Sequence, residues 1–168
     1  MYKRQVQDES IFIRVGGDGA KLWSPIAQRV RVVRSGRRDK VVVYGSIADD
    51  GTRLMRTYDR FNGANFVRYL ELARQKWGKV LMIMDNASQH KTKKVRRYLE
   101  QNPDVRILYL PVARPELSAI EEIWRQAKYR LITSESYRTL DDLRRAVSEH
   151  FRTCSINVDI YTYLARSV

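Results

Sequence analysis

Five consecutive apolar residues, Val80-Leu81-Met82-Ile83-Met84, stand between two stretches of helical periodicity and end on a carboxylate, Asp85. A run this short and this apolar reads as a strand covered on both faces, which requires an α/β plan with helices on either side of a sheet. Upstream, Asn65 to Trp77 places Phe66, Tyr69, Leu70 and Ala73 at helical spacing, and Gly78 follows where a C-terminal cap belongs. Downstream, Lys93 to Glu100 repeats the pattern with Val95, Tyr98 and Leu99. Asn102-Pro103-Asp104 then turns the chain, and Val105 to Leu110 reads as a second buried strand.

The N-terminal third has strand character instead. Residues 5–15 read as a strand stopped by Gly16-Gly17-Asp18-Gly19, Lys40 to Ala48 as the next, and Asp49-Asp50-Gly51 turns that strand into Thr52 to Tyr58. Beyond the second apolar strand, Pro111 to Pro115 reads as a loop and Glu116 to Leu131 as a long helix. Thr139 with Asp142 opens a last helix through Phe151, and residues 157–168 carry no decisive pattern. The fold class expected is α/β with a mixed five-stranded sheet, three antiparallel strands and then two parallel ones, flanked by helices. At 168 residues and 43% hydrophobic content, with no repeat or linker-like tract, residues 1–168 read as a single domain.

Lys and Arg number 32 against 19 Asp and Glu, a net charge of +13, so a polyanionic partner is expected. The cations come in blocks: Arg29, Arg31, Arg34, Arg37, Arg38 and Lys40, and then Lys91, Lys93, Lys94, Arg96 and Arg97. Blocks of this kind point to nucleic-acid phosphates, with solvated helix faces as the bland alternative. The lone Cys154 excludes an internal disulfide and reads as a packed thiol, and His90 and His150 offer no zinc-ligand spacing. Neither a membrane-spanning run nor a signal peptide is present in the sequence, which leads to the expectation of a cytoplasmic protein.

Most of the acids have ordinary explanations. Asp49 and Asp50 form a turn, Asp104 follows a turn proline, Asp141 and Asp142 suit a helix N-terminus, and Glu71, Glu100 and Glu149 read as exposed helix charges. Three others do not dispose of themselves so easily. Asp85 ends an apolar strand, where desolvation is costly unless a cation or a capping role meets it. Glu121 lies about 90° from the centre of the apolar stripe Leu117, Ile120, Trp124, Ala127, Leu131, and Glu122 about 170° away. Glu121 therefore borders the buried face, either as a site residue or paired with an arginine such as Arg125, and Glu122 points to solvent. Asp8 shares a face of the first strand with Val6 and Phe12, and Glu9 shares the other with Ile11 and Ile13; period 2 does not choose between them.

At these acids the sequence resembles the catalytic domain of transposases of the mariner superfamily, in its prokaryotic insertion-sequence branch. Gln7-Asp8-Glu9-Ser10 is similar to the family's first-aspartate strand, and Leu22-Trp23-Ser24-Pro25 with Gln28 to the segment that follows it. Met84-Asp85-Asn86-Ala87-Ser88-Gln89-His90-Lys91 resembles the Asp-Asn-Ala-x-x-His stretch at the second aspartate. Leu110-Pro111 through Pro115-Glu116-Leu117-Ser118-Ala119-Ile120-Glu121-Glu122-Ile123-Trp124 resembles the signature that carries the glutamate, with Ser118-Ala119 where the family has Asn-Pro. The 35 residues between Asp85 and Glu121 are close to the family's spacing.

The resemblance implies a ribonuclease H-like fold and Asp8, Asp85 and Glu121 as the catalytic, metal-holding triad. Asn86 and His90 are candidates for site support, where His90 orients a ligand or a phosphate, and a hydrogen-bonded structural histidine is the equal alternative for His90. Two Mg²⁺ ions, replaceable by Mn²⁺, would be held roughly 3.5–4 Å apart. It further implies cleavage of DNA at transposon ends, transfer of the 3′-hydroxyl to target DNA, and action as a dimer on DNA. The family's preceding helix-turn-helix region has no counterpart in these residues, so end recognition is expected from elsewhere, such as a separate DNA-binding polypeptide. Two rival readings are a non-catalytic DNA-binding remnant and a ribonuclease H-like nuclease acting on RNA–DNA hybrids. Trp23 and Trp124 read as core residues rather than as stacking platforms for bases.

Overall fold

The computed structural model describes residues 1–14, 39–111, 119–133, 137–156 and 158–164. The glycine turn after the first strand, the Trp23 segment, Arg29, Arg31, Arg34, Arg37, Arg38, and the 112–118 stretch that includes the expected start of the long helix lie outside them. Five strands form one sheet: β1 (Lys3–Ile13), β2 (Lys40–Ala48), β3 (Arg53–Tyr58), β4 (Val80–Met84) and β5 (Val105–Tyr109). Their order is β3-β2-β1-β4-β5. β1 pairs antiparallel with β2, β2 antiparallel with β3, and β4 lies parallel to both β1 and β5. This is the mixed sheet that the sequence predicts.

Helices cover both faces. α1 (Gly63–Trp77) and α2 (Lys93–Gln101) pack on one, where Tyr44, Phe66, Tyr69, Leu70, Met82 and Val95 form the core. α3 (Ile120–Lys128), α4 (Leu140–Thr153) and the short α5 (Ile160–Leu164) belong to the other, whose core holds Val6, Phe12, Trp124, Leu143, Phe151 and Ile160. No helix among the described residues is long and apolar enough to cross a membrane.

Local signals place the ends of several elements. Asn62 Oδ1 accepts from the Asn65 N–H at 2.8 Å, which starts α1 two residues before the apolar pattern does. Gly78 ends it at φ 72°, with its N–H on the Arg74 carbonyl. Thr139 and Asp142 form the expected reciprocal capping box of α4. Asp49 and Asp50 are the turn acids anticipated, both reached by Lys3 Nζ at 2.9 and 2.7 Å. Cys154 is a partly buried free thiol packed against the α3 side of the core.

Two expectations need correction. β5 is an edge strand rather than a buried one, with Leu108 53% exposed, because among the described residues only β4 flanks it and only alternate residues meet the core. Among the described residues the long helix is regular from Ile120 to Lys128 only, and Tyr129–Thr133 continues it as a wider π turn.

Candidate active site

β1 runs through the centre of the sheet and delivers neighbouring acids to opposite faces. Asp8 points to the α3 side with Val6 and Phe12, and Glu9 to the α1 side with Ile11. Trp124, fully buried on α3, donates from Nε1 to Asp8 Oδ2 at 2.9 Å. The indole reaches it because the residue opposite Asp8 on β2 is Gly45. A Cβ at Gly45 would stand 2.6 Å from Trp124 Cη2 and 2.6 Å from Met55 Sδ. Trp124 is thus the core residue expected and also a hydrogen-bond donor to the site.

Burial pushes the Asp8 carboxyl up to about 7, and the like charges of Glu9 and Glu121 add to the rise. The Glu9 backbone N–H and the Trp124 indole oppose it. The poorly solvated carboxylate is therefore Asp8. Asp85, whose apolar strand predicts poor solvation, is 59% exposed because the chain leaves the sheet there.

The parallel β1–β4 ladder ends with Val6 opposite Ile83; two residues further along each segment come Asp8, still within β1, and Asp85, the first residue past β4. Asp85 Oδ1 accepts from the Ala87 N–H at 3.1 Å, the capping role that a strand-end aspartate can also play. A 3₁₀ turn over Ser88–Lys91 then folds His90 back into the protein, where Nε2 lies 3.2 Å from Asp85 Oδ1 and 3.4 Å from Glu9 Oε1. Asn86, the other expected support, is exposed.

Glu121 occupies the first turn of α3, close enough for its charge to act on Asp8. It is exposed, and Glu122 is the half-buried member of the pair, the reverse of the placement that helix geometry predicts. Glu122 also takes the arginine: Arg125 donates to it from Nε at 2.7 Å and Nη2 at 2.6 Å, and Gln126 at 2.7 Å. These bonds hold the Glu122 carboxyl down to about 2. The stripe that predicts the opposite order includes Leu117, which lies outside the described residues, and the regular turn begins only at Ile120.

Of the basic blocks, Lys93, Lys94, Arg96 and Arg97 are exposed on α2, Lys91 is half-buried with Nζ 5.2 Å from the Tyr109 ring centroid, and Lys40 is exposed at the start of β2. Arg96 Nε donates to the Lys91 carbonyl at 3.0 Å.

Asp8, Asp85 and Glu121 are all oxygen donors, the type that hard divalent cations take. A desolvated carboxylate in the field of two more acids is also a place where a cation relieves repulsion, so the residues suit a metal in kind and in charge. Among the described residues, no three His, Cys, Asp or Glu side chains stand close enough together to form a ready-made metal cage. Sequence reasoning misses the roles of Glu9 and Gly45. A glutamate next to the first aspartate on a strand covered on both faces, and a glycine within the apolar β2, are the available signals.

Residues 4–144 match the model of the DDE superfamily endonucleases. An uncharacterized 39 kDa protein of the insertion element IS630 from Shigella sonnei is 27% identical over 125 residues, 71% of this chain and 35% of that protein. The chain thus spans about a third of the insertion-element protein it matches. The fold is similar to that of the Mos1 mariner paired-end complex with Mg, at TM-score 0.71 and 15% identity over 98% of this chain and 53% of that one. It is also similar to the isolated Mos1 catalytic domain, at TM-score 0.61 and 14% identity over 98% and 74%. With a matched segment that carries Asp8, Asp85 and Glu121, the chain belongs to the DDE superfamily of endonucleases.

Proposed function

We propose that this domain cleaves DNA phosphodiester bonds at transposon ends and joins the freed 3′-hydroxyls to target DNA, with Asp8, Asp85 and Glu121 as its catalytic residues. The observation that carries the reading is the placement of Asp8: a buried carboxylate fixed by Trp124 on the strand beside β4, which hands over to Asp85, and within the field of Glu121. Asp8 and Asp85 would hold divalent metal from the sheet and Glu121 from α3. When bound, two Mg²⁺ or Mn²⁺ ions activate the attacking oxygen and stabilise the leaving one.

The chain's own groups set the conditions for that chemistry. Trp124 keeps the Asp8 carboxylate in one orientation, and the buried setting disfavours its charged form until positive charge arrives. The exposed α2 cations Lys93, Lys94, Arg96 and Arg97, with Lys91, Lys40 and the Arg29 to Arg38 block, would hold backbone phosphates and position the duplex without reading its sequence. Pairing of two copies on two DNA ends, and a separate polypeptide for end recognition, complete the reading by analogy with the family.

Incubation of the protein with supercoiled plasmid and Mg²⁺ or Mn²⁺ tests it. Nicking by the native chain that is lost in Asp85→Asn supports the assignment, and equal nicking by both refutes it. Cleavage confined to RNA–DNA hybrids with no strand joining would favour a ribonuclease H-like nuclease, and salt-sensitive DNA binding without cleavage a remnant that only binds.

A further inference from the structure

His90 is the least expected residue in the molecule. It begins in a polar loop, yet its side chain is completely buried, with its ring centroid 4.5 Å from that of Phe66 on α1. Its backbone is fixed too, since the Tyr109 hydroxyl donates to its carbonyl at 3.3 Å. Nε2 is within ion-pair reach of two carboxylates but aligned for a directed hydrogen bond with neither, and Nδ1 has no hydrogen-bond partner. Burying a polar ring in this way costs stability, and such groups are retained where they serve another group.

The two carboxylates differ sharply. Glu9 is 5% exposed and receives Gln7 Nε2 on Oε1 at 3.3 Å, so it is anchored in the sheet. Asp85 is solvent-facing and lies beyond the last residue of β4, where nothing in the sheet holds its side chain. Its one hydrogen bond among the described residues, from the Ala87 N–H, falls on Oδ1, and His90 Nε2 stands 3.2 Å from the same oxygen. Among the described residues none falls on Oδ2, which faces no competitor for a ligand.

We infer that Glu9 and His90 are positioning residues for Asp85: Glu9 fixes the imidazole from the sheet, and the imidazole fixes Oδ1 so that Oδ2 is presented to metal. This rests on the proposed function, in which Asp85 is a metal ligand. The Glu9 side chain stays on the α1 side of β1, on the opposite face from Asp8, and reaches Asp85 through the ring.

Mn²⁺ affinity of the full chain, read by electron paramagnetic resonance of free Mn²⁺, tests the inference, with the melting temperature in EDTA reporting folding separately. In His90→Gln the amide nitrogen replaces Nε2, whereas in His90→Asn it falls at the Nδ1 position. His90→Asn is expected to weaken Mn²⁺ by about tenfold or more, the usual effect of losing a partner behind a ligand, and His90→Gln to restore most of it. Equal affinities for the two variants, or native affinity in His90→Asn, would overturn the inference. Glu9→Gln, which keeps the ring and the side-chain volume, is expected to lose about tenfold alone and nothing further when combined with His90→Asn. Native affinity in Glu9→Gln, or multiplied losses in the double variant, would overturn the part assigned to Glu9. Asp85→Asn separates the two levels: if it leaves Mn²⁺ affinity intact, Asp85 is no ligand and the functional reading fails first.

Discussion

Trp124 Nε1 donates to Asp8 Oδ2 at 2.9 Å, across 116 residues of sequence, and ties the first turns of α3 to the central strand. Trp124→Phe keeps an aromatic ring in the core and removes the donor. Single-turnover nicking is expected to fall about 10–100-fold, as for other residues that orient a metal-binding group. Denaturation should show a cost of about 2–3 kcal/mol from the smaller ring and the missing charged hydrogen bond.

Gly45→Ala would push the indole off Asp8, since the added carbon meets Trp124 Cη2 and Cζ2 at 2.6 and 2.8 Å. Overpacking of this kind costs about 1–3 kcal/mol. Both of those carbons are absent from phenylalanine, so Gly45→Ala should be cheaper in the Trp124→Phe background. A double-mutant cycle in urea checks this, and strict additivity would count against the steric link.

Asp8→Asn should make the metal-free protein more stable at neutral pH, because the folded-state carboxyl titrates at about 7. Below about pH 3 the acid is protonated in folded and unfolded chains alike and the substitution is neutral. As pH rises the unfolded chain ionises first, so stability is lost up to about pH 7 and stays lost above it. The gain in Asp8→Asn is then on the order of 3 kcal/mol, measurable by denaturation in EDTA across that range.

Glu121 and Glu122 should separate cleanly in the plasmid assay. Glu121→Gln is expected to abolish nicking. Glu122→Gln, which disturbs only the exposed Arg125 pair and Gln126, should retain it and change stability by less than about 1 kcal/mol.

Replacement of Lys93 and Arg97 on α2 by alanine should weaken binding to any duplex alike. The slope of log affinity against log salt should become shallower by about 0.9 for each phosphate that the protein no longer neutralises, read by fluorescence anisotropy. An unchanged slope would remove α2 from the docking surface.

Local chemistry was legible in the sequence. The bounds of β2 and β4, the glycine stop of α1 and the capping box of α4 each depend on a few adjacent residues, and the structure has them as read. Partner-dependent features were not. Period 2 placed Asp8 and Glu9 on opposite faces but could not say which face held the site, since helices cover both. The exposure of Leu108 follows from β5 having no outer neighbour among the described residues, and the burial of His90 from Phe66 arriving on a different helix. The order of Glu121 and Glu122 depended on where the helix becomes regular, which propensity fixes poorly.

The back-to-back acids of β1 also limit how this domain can change over generations. A one-residue insertion or deletion between Lys3 and Asp8 would exchange the faces of every downstream side chain in the strand, sending the aspartate toward the imidazole pocket and the glutamate toward the indole. A two-residue change would restore the faces but move both acids a full pleat away from Asp85. Length variation in relatives should therefore collect ahead of Lys3, leaving this stretch among the most indel-free wherever both acids are kept.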